Sequence, residues 1–103
     1  MRTVIETPIY LKSIESIWTT AEAEEFVGFI AAHPDAGDVI PGTAGLRKVR
    51  WAASGRGKRG GARVIYFHRP TAGSVALLIA YTKAKFDNLP TEFLKRLKEQ
   101  YDV

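Results

Sequence analysis

Lysine and arginine side chains occur in two short segments in the middle of the chain that are predicted to be β-strands. Lys48 and Arg50 belong to the first segment, and Arg63 opens the second. Alternate residues of a β-strand lie on the same face, so Lys48 and Arg50 are expected to share one. The glycine-rich stretch between the segments is typical of a hairpin, which would pair the strands near Arg50 and Arg63. This cluster, which Lys83 could join from the next strand, could bind a phosphate through charge-assisted hydrogen bonds.

Two aromatic residues are expected close to this cluster. In the last predicted strand, alternation places on one face Val75, Leu77, Ile79, Tyr81 and Lys83. Tyr81, or Trp51 if it is exposed, could stack on a nucleic-acid base. Packing in the core is the alternative for both rings, and the sequence favours neither.

The distribution of charge predicts a polyanionic partner. The formal net charge is +4, and no acidic residue occurs between Asp38 and Asp87. Ten of the 15 lysines and arginines lie in that stretch, and all 11 acids lie in the flanks or at its two ends. Such asymmetry indicates a positive face turned towards a polyanion. A solvated basic face without a partner is the alternative.

Hydrophobic periodicity and turn residues predict the elements that position these residues. The order is a strand, two helices, three strands in hairpin connection and a helix, which indicates an α+β fold. Its sheet would be mostly antiparallel, with the two N-terminal helices packed on one face. The predicted strands are Thr3 to Tyr10, Leu46 to Ala53, Ala62 to Arg69 and Ser74 to Thr82. The first predicted helix is Leu11 to Trp18. The second is capped by Thr20 and ends before His33, and the third is Asn88 to Tyr101.

Composition bounds the class of protein. A chain of 103 residues without a repeat or linker predicts one domain, 1–103. The absence of cysteine excludes disulfides and thiolate zinc sites, and two histidines, His33 and His68, are too few for us to expect a metal site. Alternation puts His68 on the face opposite Arg63. No apolar run could cross a bilayer and no signal peptide is visible, so we expect a cytoplasmic protein without a membrane partner.

Three segments resemble the HigB-like branch of the RelE toxin family: 37–51, 55–66 and 77–83, and the opening Thr3 to Pro8 is similar too. The resemblance covers nearly the whole chain in the right order. It implies the small RelE-like fold and the toxin of a type II toxin–antitoxin system. It also implies an endoribonuclease that cuts mRNA in the ribosomal A site and inhibits translation, with no metal or other cofactor.

The resemblance implies the chemistry as well: the 2′-hydroxyl attacks the adjacent phosphorus and leaves a 2′,3′-cyclic phosphate. Lys48 or Arg50 would act near the 2′-hydroxyl, and Arg63 would stabilise the developing negative charge. Lys83 or Lys58 would neutralise the phosphate or favour the leaving group. RelE proteins carry a tyrosine beyond the last strand that 84–87 lack, so Tyr81 or Lys85 could supply the acid. The residues expected to bind RNA are Arg47, Arg56, Lys58, Arg59, Tyr81 and Lys85.

The resemblance implies two kinds of partner. One is a cognate HigA-like antitoxin with a helix-turn-helix domain, which would cover the basic face or prevent entry into the ribosome. The other is the 70S ribosome with its mRNA. Two alternatives stay open: a RelE-fold protein that binds nucleic acid without cutting it, and a ParE-like gyrase poison. The basic cluster favours the nuclease, since ParE-type chains generally lack it in full.

Overall fold

The computed structural model describes residues 2–52, 61–82 and 89–101. The elements follow in the order β1 (Thr3–Glu6), α1 (Pro8–Ile14), α2 (Thr20–Ala32), β2 (Asp38–Val39), β3 (Arg47–Trp51), β4 (Ala62–Arg69), β5 (Ser74–Thr82) and α3 (Thr91–Tyr101). The strands form one five-stranded sheet in the order β1-β5-β4-β3-β2. β1 pairs with β5 in parallel, and every other neighbouring pair is antiparallel. The predicted α+β class and the mostly antiparallel sheet are confirmed.

The first strand is shorter than predicted because a helix begins at Pro8. The side chain of Thr7 accepts a hydrogen bond from the backbone N–H of Tyr10 at 3.3 Å, which caps the helix. Proline suits the first helical position, since an N–H there would have no partner within the helix. The predicted strand is therefore wrong after Glu6. The first helix begins earlier than predicted and ends at Ile14.

Thr19, and not Thr20, caps the second helix. The backbone N–H of Thr19 donates to the Glu22 carboxylate at 2.8 Å, and the N–H of Glu22 donates to the Thr19 hydroxyl at 3.2 Å. This reciprocal capping box satisfies two donors that the first turn would otherwise leave unpaired. α2 ends at Ala32, before Pro34, as predicted. The third helix begins at Thr91, later than the predicted Asn88.

The sheet separates two apolar clusters. The α1–α2 face, the face covered by α1 and α2, buries Tyr10, Phe26 and Ile30 against Val64 and Leu77. The opposite face, called the α3 face, buries a second cluster. α3 contributes Leu94 and Leu97, the residue before β3 contributes Leu46, and the sheet contributes Ile65, Ala76, Leu78 and Tyr81. The prediction that the two N-terminal helices share one face is confirmed. Within the described ranges, no helix has both the length and the apolar character that a membrane span requires.

A bulge in β5 decides which face its second half presents. Ile65 pairs with Ile79, but the next residue, Tyr66, pairs with Leu77, so Leu78 is the extra residue. At this point the Thr7 hydroxyl donates to the carbonyl of Leu77 at 2.7 Å. The prediction that five alternate residues of this strand share a face is therefore wrong. Among those described, Val75 and Leu77 lie on the α1–α2 face, whereas Ile79 and Tyr81 lie on the α3 face.

Candidate nucleic-acid interface

A row of side chains crosses three strands on the α3 face. Arg50 of β3 pairs directly with Arg63 of β4, and Arg63 pairs directly with Tyr81 of β5. The Cβ atoms of such pairs lie about 4.5–5.5 Å apart, and Lys48, one same-face position before Arg50, is a diagonal neighbour of Arg63 at about 7–8 Å. The predicted pairing of Arg50 with Arg63 is confirmed. We call Lys48, Arg50, Arg63 and Tyr81 the basic row.

Exposure differs among the members of the basic row, from buried Tyr81 on β5 to exposed Arg50 on β3. Tyr81 is only 3% exposed and belongs to the cluster beneath α3. Arg63 and Lys48 are half-buried, and Arg50 is exposed. The buried ring of Tyr81 offers no free face for stacking on a base. The row therefore exposes cationic groups to solvent, while its aromatic member, Tyr81, is buried.

Burial raises the pKa of Tyr81, while the positive charge of Arg63 nearby acts in the opposite direction. The net shift is upwards, so the phenol is neutral at physiological pH. Arg63 thus lies between an exposed arginine and a buried proton donor.

β2 adds one acidic residue at the edge of the basic row. Asp38 pairs directly with Lys48, so the carboxylate and the ammonium are on the same face. The close approach of β2 depends on Gly37, where a Cβ atom would lie 2.6 Å from the carbonyl oxygen of Lys48. Asp38 was not predicted to lie here, because a two-residue strand is too short to give an alternating pattern.

Arg47 does not join the basic row. It alternates with Lys48 and lies on the other face of β3. Its guanidinium donates to the carbonyl oxygen of Gly37 at 2.7 Å and lies 3.6 Å from the carboxylate of Asp35. These contacts tie Arg47 to the segment that leads into β2. An RNA-binding role for Arg47 would require a second surface of the protein.

Trp51 and His68 also lie on the α1–α2 face. Trp51 is half-buried and packs against the core, and its ring stacks on Phe29 with 4.6 Å between centroids, so that face of the ring is not available to a base. The Nδ1 atom of His68 lies 2.9 Å from the carboxylate of Asp35. That hydrogen bond is the main reason why the pKa of Asp35 lies below its usual value. The prediction that His68 lies opposite Arg63 is confirmed.

α3 is held over the remainder of its face by two cationic side chains. The guanidinium of Arg69 donates to the backbone carbonyl of Tyr101 at 3.0 Å. The ammonium of Lys98 lies over the ring of Phe67 at 4.6 Å from its centroid. These contacts fix the helix at the end of the face away from Arg50. The basic charge of Arg69 is therefore used within the fold.

Several predicted site residues lie outside the described residues: Lys83 of the catalytic set, and Arg56, Lys58, Arg59 and Lys85 of the RNA-binding set. Within the ranges that the structure describes, no group of three or more histidine, aspartate or glutamate side chains is arranged to hold a metal ion.

No family model matches the sequence. Among solved structures, the fold is similar to that of the Escherichia coli toxin RelE, solved in the free state as a double arginine-to-alanine mutant. The TM-score is 0.59 at 13% sequence identity, and the match covers 84% of this chain and 87% of RelE. The chain therefore has the RelE-like α+β fold. At this identity the likeness bears on architecture alone, and function must be argued from the side chains.

Proposed function

We propose that this protein is the toxin of a type II toxin–antitoxin module and that it cleaves RNA at the basic row. The observation that carries the proposal is the direct pairing of Arg50 with Arg63, with Lys48 diagonal to them, on a partly open face of the sheet. Three cations from two adjacent strands can surround one phosphodiester. The similarity to a RelE structure supports the same function, since RelE is itself a toxin.

The row offers what cleavage by the 2′-hydroxyl requires. Arg63 has a planar fork of donors that matches two non-bridging phosphate oxygens, where negative charge develops. Lys48 or Arg50 would lie near the 2′-hydroxyl, and lysine is the better base because an ammonium loses its proton more readily than a guanidinium. Tyr81 is a neutral phenol beside Arg63 and is our candidate for the acid that protonates the leaving 5′-oxygen, with Lys85 as the alternative.

The fixed positions of the side chains in the basic row favour catalysis by the row over simple binding to RNA. Its members stand on paired strands, so their spacing is set by backbone hydrogen bonds and not by loop motion. Adhesion to a polyanion needs positive charge alone and would not require paired positions. Lys83 and Lys58, which lie outside the described residues, would neutralise the phosphate or favour the leaving group.

The finer proposal is a HigB-like enzyme that enters the ribosomal A site, cuts mRNA there without a metal and thereby arrests translation. The sequence resemblance in 37–51 and 55–66 supports this branch. The partners would be the 70S ribosome with its mRNA and a HigA-like antitoxin with a helix-turn-helix domain. The cytoplasm, where translation occurs, would be the site of action.

The test is toeprinting of mRNA on programmed ribosomes with the wild-type protein and with Arg63→Ala. We expect cuts in the A-site codon, and a loss of about 10²–10³ in cleavage rate for the variant, as when one oxyanion donor is removed elsewhere. Arg2→Ala is the matched control, since it removes the same charge from an exposed residue near the end of α2 and away from the row. Full activity of Arg63→Ala would exclude this site.

Induction in growing bacteria separates the two alternatives. Translational arrest with A-site cuts supports the nuclease. DNA damage without RNA cuts would identify a ParE-like gyrase poison. Binding to RNA without cuts and without an effect on growth would identify a non-catalytic RelE-fold protein.

A further inference from the structure

A groove opens between α1 and α2, on the side of the sheet away from the basic row. Its volume is about 410 Å³ and its lining is mostly apolar. Ile14, Trp18 and Ala23 contribute side chains that are also part of the core. Leu11 and Val27 line the groove with more exposed apolar surface, and Leu11 is 45% exposed. Covering this surface would remove apolar area from water, which favours association.

Three carboxylates line the same groove. Glu6 is the last residue of β1, Glu15 directly follows α1, and Glu24 lies in the second turn of α2; all three are exposed. The described lining includes no lysine or arginine. The local charge is thus opposite in sign to the net charge of +4. A polyanion would be repelled from this groove, whereas a cationic partner would be attracted.

We propose that this groove binds one amphipathic helix of a partner protein, with aliphatic side chains on its apolar face and lysine or arginine along its flanks. An apolar trough between two helices accepts a third helix through side chains at positions i, i+3, i+4 and i+7. The acidic rim then pairs with the flanking cations, which fixes the orientation of the helix and raises its rate of association. A helix of this kind would complement both the apolar lining and the acidic rim of the groove.

Occupation of the groove leaves the basic row uncovered, because the two lie on opposite faces of the sheet. A partner bound here would inhibit RNA binding by steric hindrance, because its volume would keep the basic row away from a structured RNA. It would not cover the cationic groups themselves. The identification of this partner as the antitoxin rests on the proposed function. The docking site itself does not depend on the proposed function.

The probe is a labelled synthetic helix of about 18 residues, with leucine at the apolar positions and lysine at the others, added to the full-length protein. A peptide of the same composition in scrambled order is the control. Leu11→Glu and Glu24→Lys should each weaken binding about tenfold or more, because one removes apolar contact and the other reverses a rim charge. Ile5→Glu is the matched control: Ile5 is 46% exposed on β1, outside the groove, and binding should be unchanged.

Two results would overturn the proposal. One is binding of the designed helix no tighter than that of the scrambled peptide, or equally sensitive to Leu11→Glu and Ile5→Glu. The other is a wild-type dimer in sedimentation that Leu11→Glu dissociates, since a second copy would then occupy the groove. Arg63→Ala should bind the helix normally, and Leu11→Glu should cleave RNA normally. The docking site and the nuclease can therefore fail separately.

Discussion

The direct pairing of Arg50 with Arg63 places two like charges opposite each other in the sheet. In the part of the chain that the structure describes, no ion pair involves either guanidinium. The arrangement should therefore destabilise the free protein, and removing one charge should stabilise it. We predict that Arg50→Gln, which keeps a long polar side chain, raises the free energy of unfolding.

The size of the gain follows from the position of the pair. Favourable cross-strand pairs contribute about 0.2–1 kcal/mol, and we take the cost of like charges directly opposite each other to be of the same order. Arg50 is exposed and Arg63 half-buried, so solvent screening places the gain in the lower part of that range, at about 0.5 kcal/mol. For a domain of this size that is a rise in Tm of about 2–4 °C. Arg50→Glu, which converts repulsion into attraction, should give a larger rise.

The assay is thermal unfolding at low and at high ionic strength. The gain from Arg50→Gln should shrink as salt increases, because screening already relieves the repulsion in the wild type. In a double-mutant cycle, the gain should also vanish on an Arg63→Ala background. Arg2→Gln lowers the net charge equally at an exposed residue away from the row and is the control for the general effect of charge.

A lower Tm for Arg50→Gln would refute the reasoning, and so would a gain that persists at high salt or without Arg63. If the prediction is correct, RNA cleavage should fall in the same variant whose stability rises. Stability given up at a site in this way is typical of residues kept for function.

Two further predictions concern the fold. Thr7→Val removes the helix cap and the hydrogen bond to Leu77, and it should lower the free energy of unfolding by about 1–3 kcal/mol in urea denaturation. Thr3→Val, at an exposed position, is the control, and equal unfolding midpoints for the two variants would contradict the structural role of Thr7. The lowered pKa of Asp35 means that its contribution to stability is present above its unfolded pKa of 3.8 and is lost as the pH falls through the folded value. The difference in Tm between wild type and Asp35→Asn should therefore close in strong acid. A difference that persists there would show that the Asp35–His68 contact is not its source.

The basic row shows how far sequence reasoning reached. The pairing of Arg50 with Arg63 was predictable, because a glycine-rich hairpin between two alternating segments leaves few registers that keep both apolar faces buried. The position of Tyr81 was not, since strict alternation grouped it with Leu77. The bulge at Leu78 lies next to a hydrogen bond from the Thr7 hydroxyl to the carbonyl of Leu77, and Thr7 is remote in the chain. No periodicity within β5 could reveal it.

The sequence by itself determined the α+β class, the order of the elements, and the separation of cations and acids into different stretches. Hydrophobic periodicity, turn residues and charge are local properties of the chain. Only the tertiary structure decided which other residues lie beside the predicted pair of Arg50 and Arg63. It turned Arg47 towards the loop before β2, buried Tyr81 beneath α3, and left an acidic groove between α1 and α2. These outcomes depend on strand register and on contacts between distant segments, which no single stretch of the chain encodes.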